Sequence, residues 1–231
     1  MLKKIIGIAA PARSGKDTVA SMLLQHNKVT AYALADPLKL GCQALFGLTK
    51  QETWDDNCKE TIIPLWNHSP RKFFQHLGTD WMRSHNSDHW LMRAERAINS
   101  ANNTNKRSLP SHSQDPKVPF KLAAQAFFNL SESQTWDGHQ QEVIDTFWEM
   151  SPAQMFELIE SLTKKDFPDY FERRLQRPIT QPSKSMPCFK ESDVIIIKDI
   201  RFENEADFLR QHNGVIWHVV RNAAQKVNPH S

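Results

Sequence analysis

The residues from Ile5 to Ala20 combine types and spacings that suit the binding of phosphate groups. The apolar run Ile5–Ala10 is typical of a buried parallel strand, and small residues lead from it into a helical pattern that begins at Lys16. In such an arrangement, successive backbone N–H groups and the amino terminus of the helix can surround a phosphate, while Lys16 adds a positive charge. The run Ser14-Gly15-Lys16-Asp17-Thr18 therefore predicts a phosphate-binding loop, or P-loop.

Two positions depart from the usual P-loop pattern G-x-x-x-x-G-K-[ST]. Ala10 stands at the first glycine, and Asp17 stands where Ser or Thr is usual, with Thr18 one residue later. A plain strand-to-helix turn capped by Ser14 is the alternative interpretation. The order of strand, loop and Gly-Lys favours phosphate binding.

The composition is that of an ordinary globular chain whose 231 residues suffice for one domain with an insertion. A net charge of +3 with mixed signs suits small anions and gives little support for nucleic acid as a partner. The three cysteines are scattered, which predicts a reducing, cytoplasmic location without disulfides. The apolar run after Lys3-Lys4 is too short for a signal peptide, so no membrane partner is expected.

The carboxyl-terminal part of the sequence predicts a parallel β-α-β unit. Asp193–Lys198 is the strongest strand pattern, a helix follows over 203–212, and Val215–Val220 is the next strand. Together with the strands predicted at Ile5–Ala10 and Thr30–Ala35, this predicts an α/β fold, a P-loop NTPase-type parallel sheet flanked by helices with a large helical region. Ligands bind at the carboxyl ends of such strands. The charged residues expected at that edge are Asp17, Asp36, Asp199, Arg201 and Arg221.

The middle of the chain is helical in pattern. Ser69, followed by Pro70, is expected to cap a helix that runs to Leu77 and is stopped by Gly78-Thr79-Asp80. His85 and His89 have the i, i+4 spacing of a metal pair, but the residues between them resemble a helix start, so we interpret both as surface residues.

Residues 119–161 repeat residues 37–79 at a constant offset of 82. We call residues 37–79 repeat 1 and residues 119–161 repeat 2. The run PFKLAAQAFFNLSESQTWDG of repeat 2 lies on PLKLGCQALFGLTKQETWDD of repeat 1. Repeat 2 has lost polar features, since Ala153 replaces Arg71 and Glu160 replaces Gly78. We therefore predict that repeat 2 is structural.

Several separated runs resemble the deoxynucleoside monophosphate kinases of bacteriophages and prophages. The resemblance covers about residues 3–98 and 190–228 and rests on the runs SGKDT, ALADPLKLGCQALFGLT, SPRKFFQHLGTD, DIRFENEA and VIWHVVR. It implies the fold of P-loop kinases, with a helical region that binds the nucleoside monophosphate. It also implies phosphoryl transfer from ATP to a deoxynucleoside monophosphate, with Mg²⁺, in the host cytoplasm if the chain is phage-encoded.

The resemblance also implies roles for individual residues. Lys16, Arg71, Asp199 and Arg201 would be catalytic, with both arginines gripping the acceptor phosphate. The residues expected to contact ATP are Arg13, Ser14, Gly15, Lys16, Asp17, Thr18 and, near the adenine, Arg221. Asp17, Thr18 and Asp199 would organise Mg²⁺.

A second group of residues would contact the acceptor nucleotide. Gly78, Thr79 and Trp90 would shape the nucleoside pocket, with Trp90 stacking on the base. The remaining candidates for sugar or phosphate contacts are Asp36, Lys39, Asp80 and Glu205. For each, a surface ion pair or a helix cap is the alternative, and for Trp90 the alternative is core packing.

These patterns predict three regions: a P-loop core (1–36 and 190–231), a helical nucleotide-binding region (37–98) and a helical insert (99–189), of which residues 99–178 have no counterpart in the family pattern. The sequence stops at Ser231, where the family typically continues through another strand and helix, so we expect either a truncated sequence or a sheet that is one strand short. Two other functions stay open: a P-loop kinase acting on another small metabolite, and a catalytically weak nucleotide-binding regulatory protein. A homodimer is a further alternative, because the insert adds an apolar, aromatic surface.

Overall fold

The structure is a computed structural model that describes residues 3–11, 14–100, 115–180, 184 and 186–220. The chain divides into two compact units. Unit 1 comprises residues 1–34, 94–104 and 187–231, and unit 2 comprises residues 35–93 and 105–186.

Unit 1 is built on a parallel sheet. Its four strands among the described residues are β1 (Lys4–Ala9), β2 (Val29–Ala33), β3 (Val194–Lys198) and β4 (Val215–His218). The order is β2-β3-β1-β4, and every neighbouring pair is parallel. The two central strands, β1 and β3, are the most buried, as expected for apolar runs inside a parallel sheet, whereas β4 is mostly exposed. The predicted α/β fold is confirmed.

The helices of the described residues are, in chain order, α1 (Lys16–Leu23), α2 (Ala35–Phe46), α3 (Lys50–Trp54), α4 (Pro70–Gln75), α5 (His89–Asn99), α6 (Val118–Phe128), α7 (Glu132–Trp136), α8 (Gly138–Gln141), α9 (Pro152–Asp166), α10 (Tyr170–Arg174) and α11 (Glu203–Gln211). In unit 1, α11 packs closely on β1. The two elements are so close that a Cβ at Gly7 would lie 2.2 Å from Leu209 Cδ1. None of the helices in the described ranges has both the length and the apolar character needed to cross a membrane.

The core of unit 2 is aromatic. Helices α2 and α6 pack against each other, so closely that a Cβ at Gly41 would meet the Phe127 ring at 2.0 Å. At one end of α2, five rings contact one another: Phe46, Trp66, Phe73, Phe167 and Tyr170. Each large aromatic ring buries a large apolar area, so a few such rings can provide a core for a unit made of short helices.

Two predictions about the middle of the chain are wrong. The helix that begins after Ser69 does not stop at Gly78, because α4 continues directly into a π-helix, His76–Arg83. His89 is not at the surface, since only 3% of it is exposed and its ring lies against the rings of Trp148 and Phe128. The helical pattern of the sequence did not show that the face of α5 carrying His89 would pack against Phe128 and Trp148.

The internal repeat is visible in the structure. Each helix of repeat 1 has a counterpart 82 residues later, with α2 matching α6 and α3 matching α7, while α9 begins 82 residues after α4. The isolated antiparallel bridge Ile63–His68 likewise corresponds to Asp145–Met150. The sequence similarity therefore reflects a duplicated helical module.

Candidate active site

Helix α1 begins directly after a glycine in a left-handed conformation. Gly15, the N-cap of α1, has φ +93°, a left-handed conformation that glycine adopts at little cost. The first-turn N–H groups of α1 have no acceptor within the helix. The Ser14 side chain is buried, and its hydroxyl finds no partner among the described residues. Arg13, predicted to contact ATP, lies outside the described residues.

Lys16 is held by two carboxylates. Its Nζ lies 2.8 Å from Asp199 Oδ1 and 3.3 Å from Asp17 Oδ2. Burial alone would lower the pKa of the Lys16 ammonium, but Asp199 and then Asp17 outweigh burial, so its pKa is raised. The charge on Lys16 is therefore secure at neutral pH and placed beside the loop.

Asp199 follows β3 directly and has φ +65°, which is uncommon for a residue with a side chain. Its carboxylate also lies 3.5 Å from Arg201 Nη2. The structure thus brings together Lys16, Asp199 and Arg201, three residues predicted to be catalytic. Arg201 is well exposed and available to an incoming anion.

Glu205 has a local structural role. It is 2% exposed, and its Oε2 accepts the backbone N–H groups of Arg201 at 2.8 Å and Phe202 at 3.2 Å. It thereby fixes the turn that carries Arg201 into α11. This placement favours the helix-cap alternative for Glu205. Arg221, the other candidate beyond β4, is outside the described residues.

The predicted magnesium ligands are oxygen donors near Lys16. Asp17 and Thr18 are exposed in the first turn of α1. Within the described ranges, no three His, Cys, Asp or Glu side chains group closely enough to hold a metal ion by themselves. Mg²⁺ is commonly bound by one or two carboxylates together with phosphates of the substrate and water. The donor set of Asp17, Thr18 and Asp199 fits that mode.

In unit 2, Arg71 lies at the start of α4. Its Nε is paired with Glu60 Oε1, and its backbone N–H donates to the Lys59 carbonyl at 2.9 Å. The Arg71 side chain is partly exposed, so its guanidinium remains accessible to a phosphate. Capping by Ser69, whose hydroxyl accepts the Lys72 N–H at 3.3 Å, was predicted from the sequence and is confirmed.

A second cationic cluster of unit 2 surrounds Trp54. The Lys39 ammonium lies 5.2 Å from the centre of the Trp54 ring and 5.7 Å from that of Phe74. Burial lowers the pKa of Lys39, against the opposing effect of Asp36. Lys184 lies 4.6 Å above Trp54 and 2.7 Å from Asp36 Oδ2. Lys184 was missed by sequence reasoning, because it belongs to a Ser- and Pro-rich stretch without a motif.

The predicted nucleoside pocket residues lie on the π-helix. Gly78 is buried, and a Cβ there would approach Leu38 Cδ2 to 2.7 Å. Thr79 and Asp80 are exposed, and Asp80 Oδ2 contacts His76 Nδ1 at 2.8 Å. π-Helices are rare in proteins, and those that occur often lie at functional sites. Repeat 2 has regular α-helix at the corresponding residues of α9.

Trp90 is a buried residue that contacts this π-helix. It is 4% exposed, and its indole N–H donates to the Gly78 carbonyl at 3.1 Å. Its ring packs edge-on against His89 and Phe127. This placement favours the core-packing alternative for Trp90.

Comparison of the two repeats distinguishes residues that maintain the shared helical framework from residues that are candidates for contact with a substrate. Lys121 lies over Trp136 and Phe156 as Lys39 lies over Trp54 and Phe74, so this lysine–aromatic contact is part of the framework. The residues found only in repeat 1, or just beside it, are Asp36, Arg71, Gly78, Thr79 and Asp80. Those five are the stronger candidates for contact with a substrate.

Comparison with known proteins identifies the relatives of this part of the chain. The family model described as "Deoxynucleotide monophosphate kinase" matches residues 4–61, which contain the predicted phosphate loop and helices α1 to α3. The resemblance drawn from the motifs is confirmed there. A protein of Acanthamoeba polyphaga mimivirus named "Putative deoxynucleotide monophosphate kinase" is 36% identical over 83 residues. The match covers 35% of this chain and 43% of the length of that relative.

Proposed function

We propose that this chain is a deoxynucleoside monophosphate kinase that transfers the γ-phosphoryl group of ATP to a deoxynucleoside monophosphate. The observation that carries the proposal is the pairing of Lys16 with Asp199 beside a left-handed Gly15 at the start of α1. This arrangement supports a phosphate-binding role for the loop, with Lys16 as its cation. The match of residues 4–61 to the kinase family supports the same function.

In the proposed reaction, an oxygen of the acceptor monophosphate bonds to the γ-phosphorus of ATP. The bond from that phosphorus to the β–γ bridging oxygen breaks, giving a deoxynucleoside diphosphate and ADP. Phosphoryl transfer depends mainly on positioning and charge. Lys16 would neutralise the charge on the transferred group, while Arg71 and Arg201 would hold the acceptor phosphate.

Asp17, Thr18 and Asp199 would hold Mg²⁺, which neutralises phosphate charge when bound. The Asp199 side chain is oriented by its ion pairs with Lys16 and Arg201. A nucleotide phosphate arriving at the loop would compete for the same two cations. Its binding would leave Asp199 oxygens available to the metal.

One observation favours a second candidate, a P-loop kinase that acts on another small phosphorylated or hydroxylated metabolite. Trp90 is buried and bonded to Gly78, so it is not placed to stack on a base. A pocket without base stacking is what that function requires.

The deciding experiment is coupled measurement of ADP release with ATP, Mg²⁺ and each deoxynucleoside monophosphate in turn. The Lys16→Ala protein serves as the blank, and Lys50→Ala, at an exposed lysine on α3, serves as the matched control. Turnover that depends on a deoxynucleoside monophosphate supports the proposal. Turnover only with other acceptors supports the second candidate, and ATP binding without any turnover supports the regulatory alternative.

A further inference from the structure

The two repeats of unit 2 are followed by helices that also correspond to each other. His89 and Arg93 of α5 follow repeat 1, and Tyr170 and Arg174 of α10 follow repeat 2, in each case with an offset of 81 residues. The offset falls from 82 to 81 because the stretch containing the π-helix has one residue more than its counterpart in repeat 2. The duplicated module therefore extends beyond the similarity that is evident in the sequence.

Each of these helices packs on the opposite repeat. The His89 ring lies 5.1 Å from the Trp148 ring of repeat 2 at an interplanar angle of 31°. The Tyr170 ring lies 5.8 Å from the corresponding Trp66 of repeat 1, at 29°. Both rings also meet a phenylalanine of that repeat edge-on, His89 meeting Phe128 at 88° and Tyr170 meeting Phe46 at 82°.

The buried arginines of the two helices repeat the exchange. Arg93 donates from Nε to the Ala126 carbonyl near the end of α6, at 2.8 Å. Arg174 donates from Nε to the Leu45 carbonyl at 3.0 Å and from Nη2 to the Ala44 carbonyl at 3.2 Å, near the end of α2. Ala44 is the counterpart of Ala126 at the offset of 82. Each helix carboxyl end thus receives an arginine from the other half of the unit.

Reciprocal contacts of this kind are the signature of a two-fold interface, in which residue i of one copy meets residue j of the other and the reverse. We infer that repeat 2 occupies the place of a second copy of repeat 1. One chain then contains the paired helical module that two single-repeat chains would form by associating. This inference does not depend on the proposed reaction.

A direct consequence is that the face by which the module would bind another copy is already covered within the chain. The 231-residue chain should therefore sediment as a monomer of 26.7 kDa, and its Tm should not change over about a hundredfold range of protein concentration. A mass twice that value, with a Tm that rises with concentration, would overturn the inference.

Matched substitutions test the reciprocity itself. His89→Ala and Tyr170→Ala should each lower the Tm, by roughly 5–15 °C and to a similar extent, without changing the mass. Leu175→Ala, at a position 86% exposed just after α10, is the control and should leave the Tm unchanged. If the alanine variants do not fold, His89→Phe and Tyr170→Phe retain the rings and allow the same comparison with smaller losses. If the Tm fell in the His89 variant but not in the matching Tyr170 variant, or the reverse, the two-fold relation would be contradicted.

Discussion

The phosphate-loop lysine is the residue whose removal should affect catalysis most. Asp199 holds the Lys16 ammonium at 2.8 Å beside the loop, where a bound phosphate would compete with Asp199 for this cation. Lys16→Ala should lower phosphoryl transfer by about 10²–10³-fold or more, because one preorganised charge in the transition state is worth that much. Steady-state kinetics on the variant and on Lys50→Ala would measure the effect. Wild-type activity in Lys16→Ala would mean that the site has been assigned wrongly.

Arg71 is expected to act on the acceptor alone. Its side chain is partly exposed, and its Nε is paired with Glu60. Arg71→Ala should raise the KM for the monophosphate by roughly 10-fold or more while ATP affinity changes little, since a charge-assisted hydrogen bond to phosphate contributes a few kcal/mol at most. Kinetics with each substrate varied in turn, beside isothermal titration with ATP, would separate the two. An equal loss for both substrates would contradict the assignment.

The buried histidine of α5 links stability to pH. Burial and, second, the charge of Arg93 lower the pKa of His89 to about 3, from an ordinary value of 6.5. Below pH 6.5 the unfolded chain binds a proton that the folded chain does not. The stabilisation is therefore fully present above pH 6.5 and is lost progressively as the pH falls towards 3, by up to about 1.4 kcal/mol per pH unit.

Denaturant unfolding at several pH values between 7 and 5 would measure this dependence. His89→Phe should flatten it, whereas His26→Ala, at an exposed position, should not. Equal slopes in wild type and His89→Phe would exclude His89 as the source.

The sequence anticipated the residues around the phosphate loop better than those that support them. Lys16 lies after β1 and Asp199 lies after β3, and these two parallel strands are neighbours in the sheet. The proximity of the two residues therefore follows from the parallel topology. Lys184 could not be predicted in this way, because its contact with Trp54 depends on which side chains meet after folding. The capping role of Glu205 was one of two alternatives to substrate contact, and the sequence did not choose between them.

At the scale of elements, the π-helix distinguishes the two repeats. From Ser69 to His89 there are 20 residue steps, and from Ser151 to Tyr170 there are 19. One inserted residue in an α-helix is accommodated as a π-helical turn, which here carries Gly78 and its neighbours. The inserted residue is therefore expected to set the position of the predicted acceptor pocket.

Deletion of Thr79 tests this expectation. The shortened segment should form continuous α-helix as α9 does and should remain folded by circular dichroism. Acceptor-dependent turnover should fall by about 10²-fold, because misplacement of a binding group by an ångström has an effect of that size. Gln75→Ala, at an exposed position of α4, changes no helix length and is the control. Unchanged turnover in a folded deletion variant would separate the π-helix from function.

Element types were predictable wherever an apolar run or a cap controlled the backbone. The four strands follow from apolar runs, and the cap at Ser69 follows from a side chain that accepts an N–H group. The helix end expected at Gly78 was wrong. The Gly78 carbonyl is bonded by Trp90, which lies twelve residues later and is invisible to local propensity.

At the scale of the whole molecule, the repeat was visible in the sequence, but the exchange of helices was not. Repeat 1 and repeat 2 share residue types, whereas the exchanged helices share only their roles, with histidine in α5 matched by tyrosine in α10. A ring and a buried guanidinium suffice for those roles. Sequence identity is therefore a weak guide to where the module ends.

The close packing of α2 on α6 leads to a prediction about the stability of the module. Gly41→Ala would gain about 1 kcal/mol in helix propensity. The added Cβ, however, would lie 2.0 Å from the Phe127 ring, and overpacking of this kind costs about 1–3 kcal/mol. Since the ring is fully buried and has little room to move, we expect net destabilisation.

Adding Phe127→Leu should recover part of the loss, because the smaller side chain makes room for the methyl group. Gly138→Ala, where a Cβ would meet nothing within 4 Å, should change the free energy of unfolding by less than about 0.5 kcal/mol. Denaturant unfolding of the three single variants and the double variant would complete a mutant cycle. A Gly41→Ala protein as stable as wild type would show that the two helices can separate slightly at no cost. The pairing of the repeats would then tolerate sequence drift at the contact that now brings them closest.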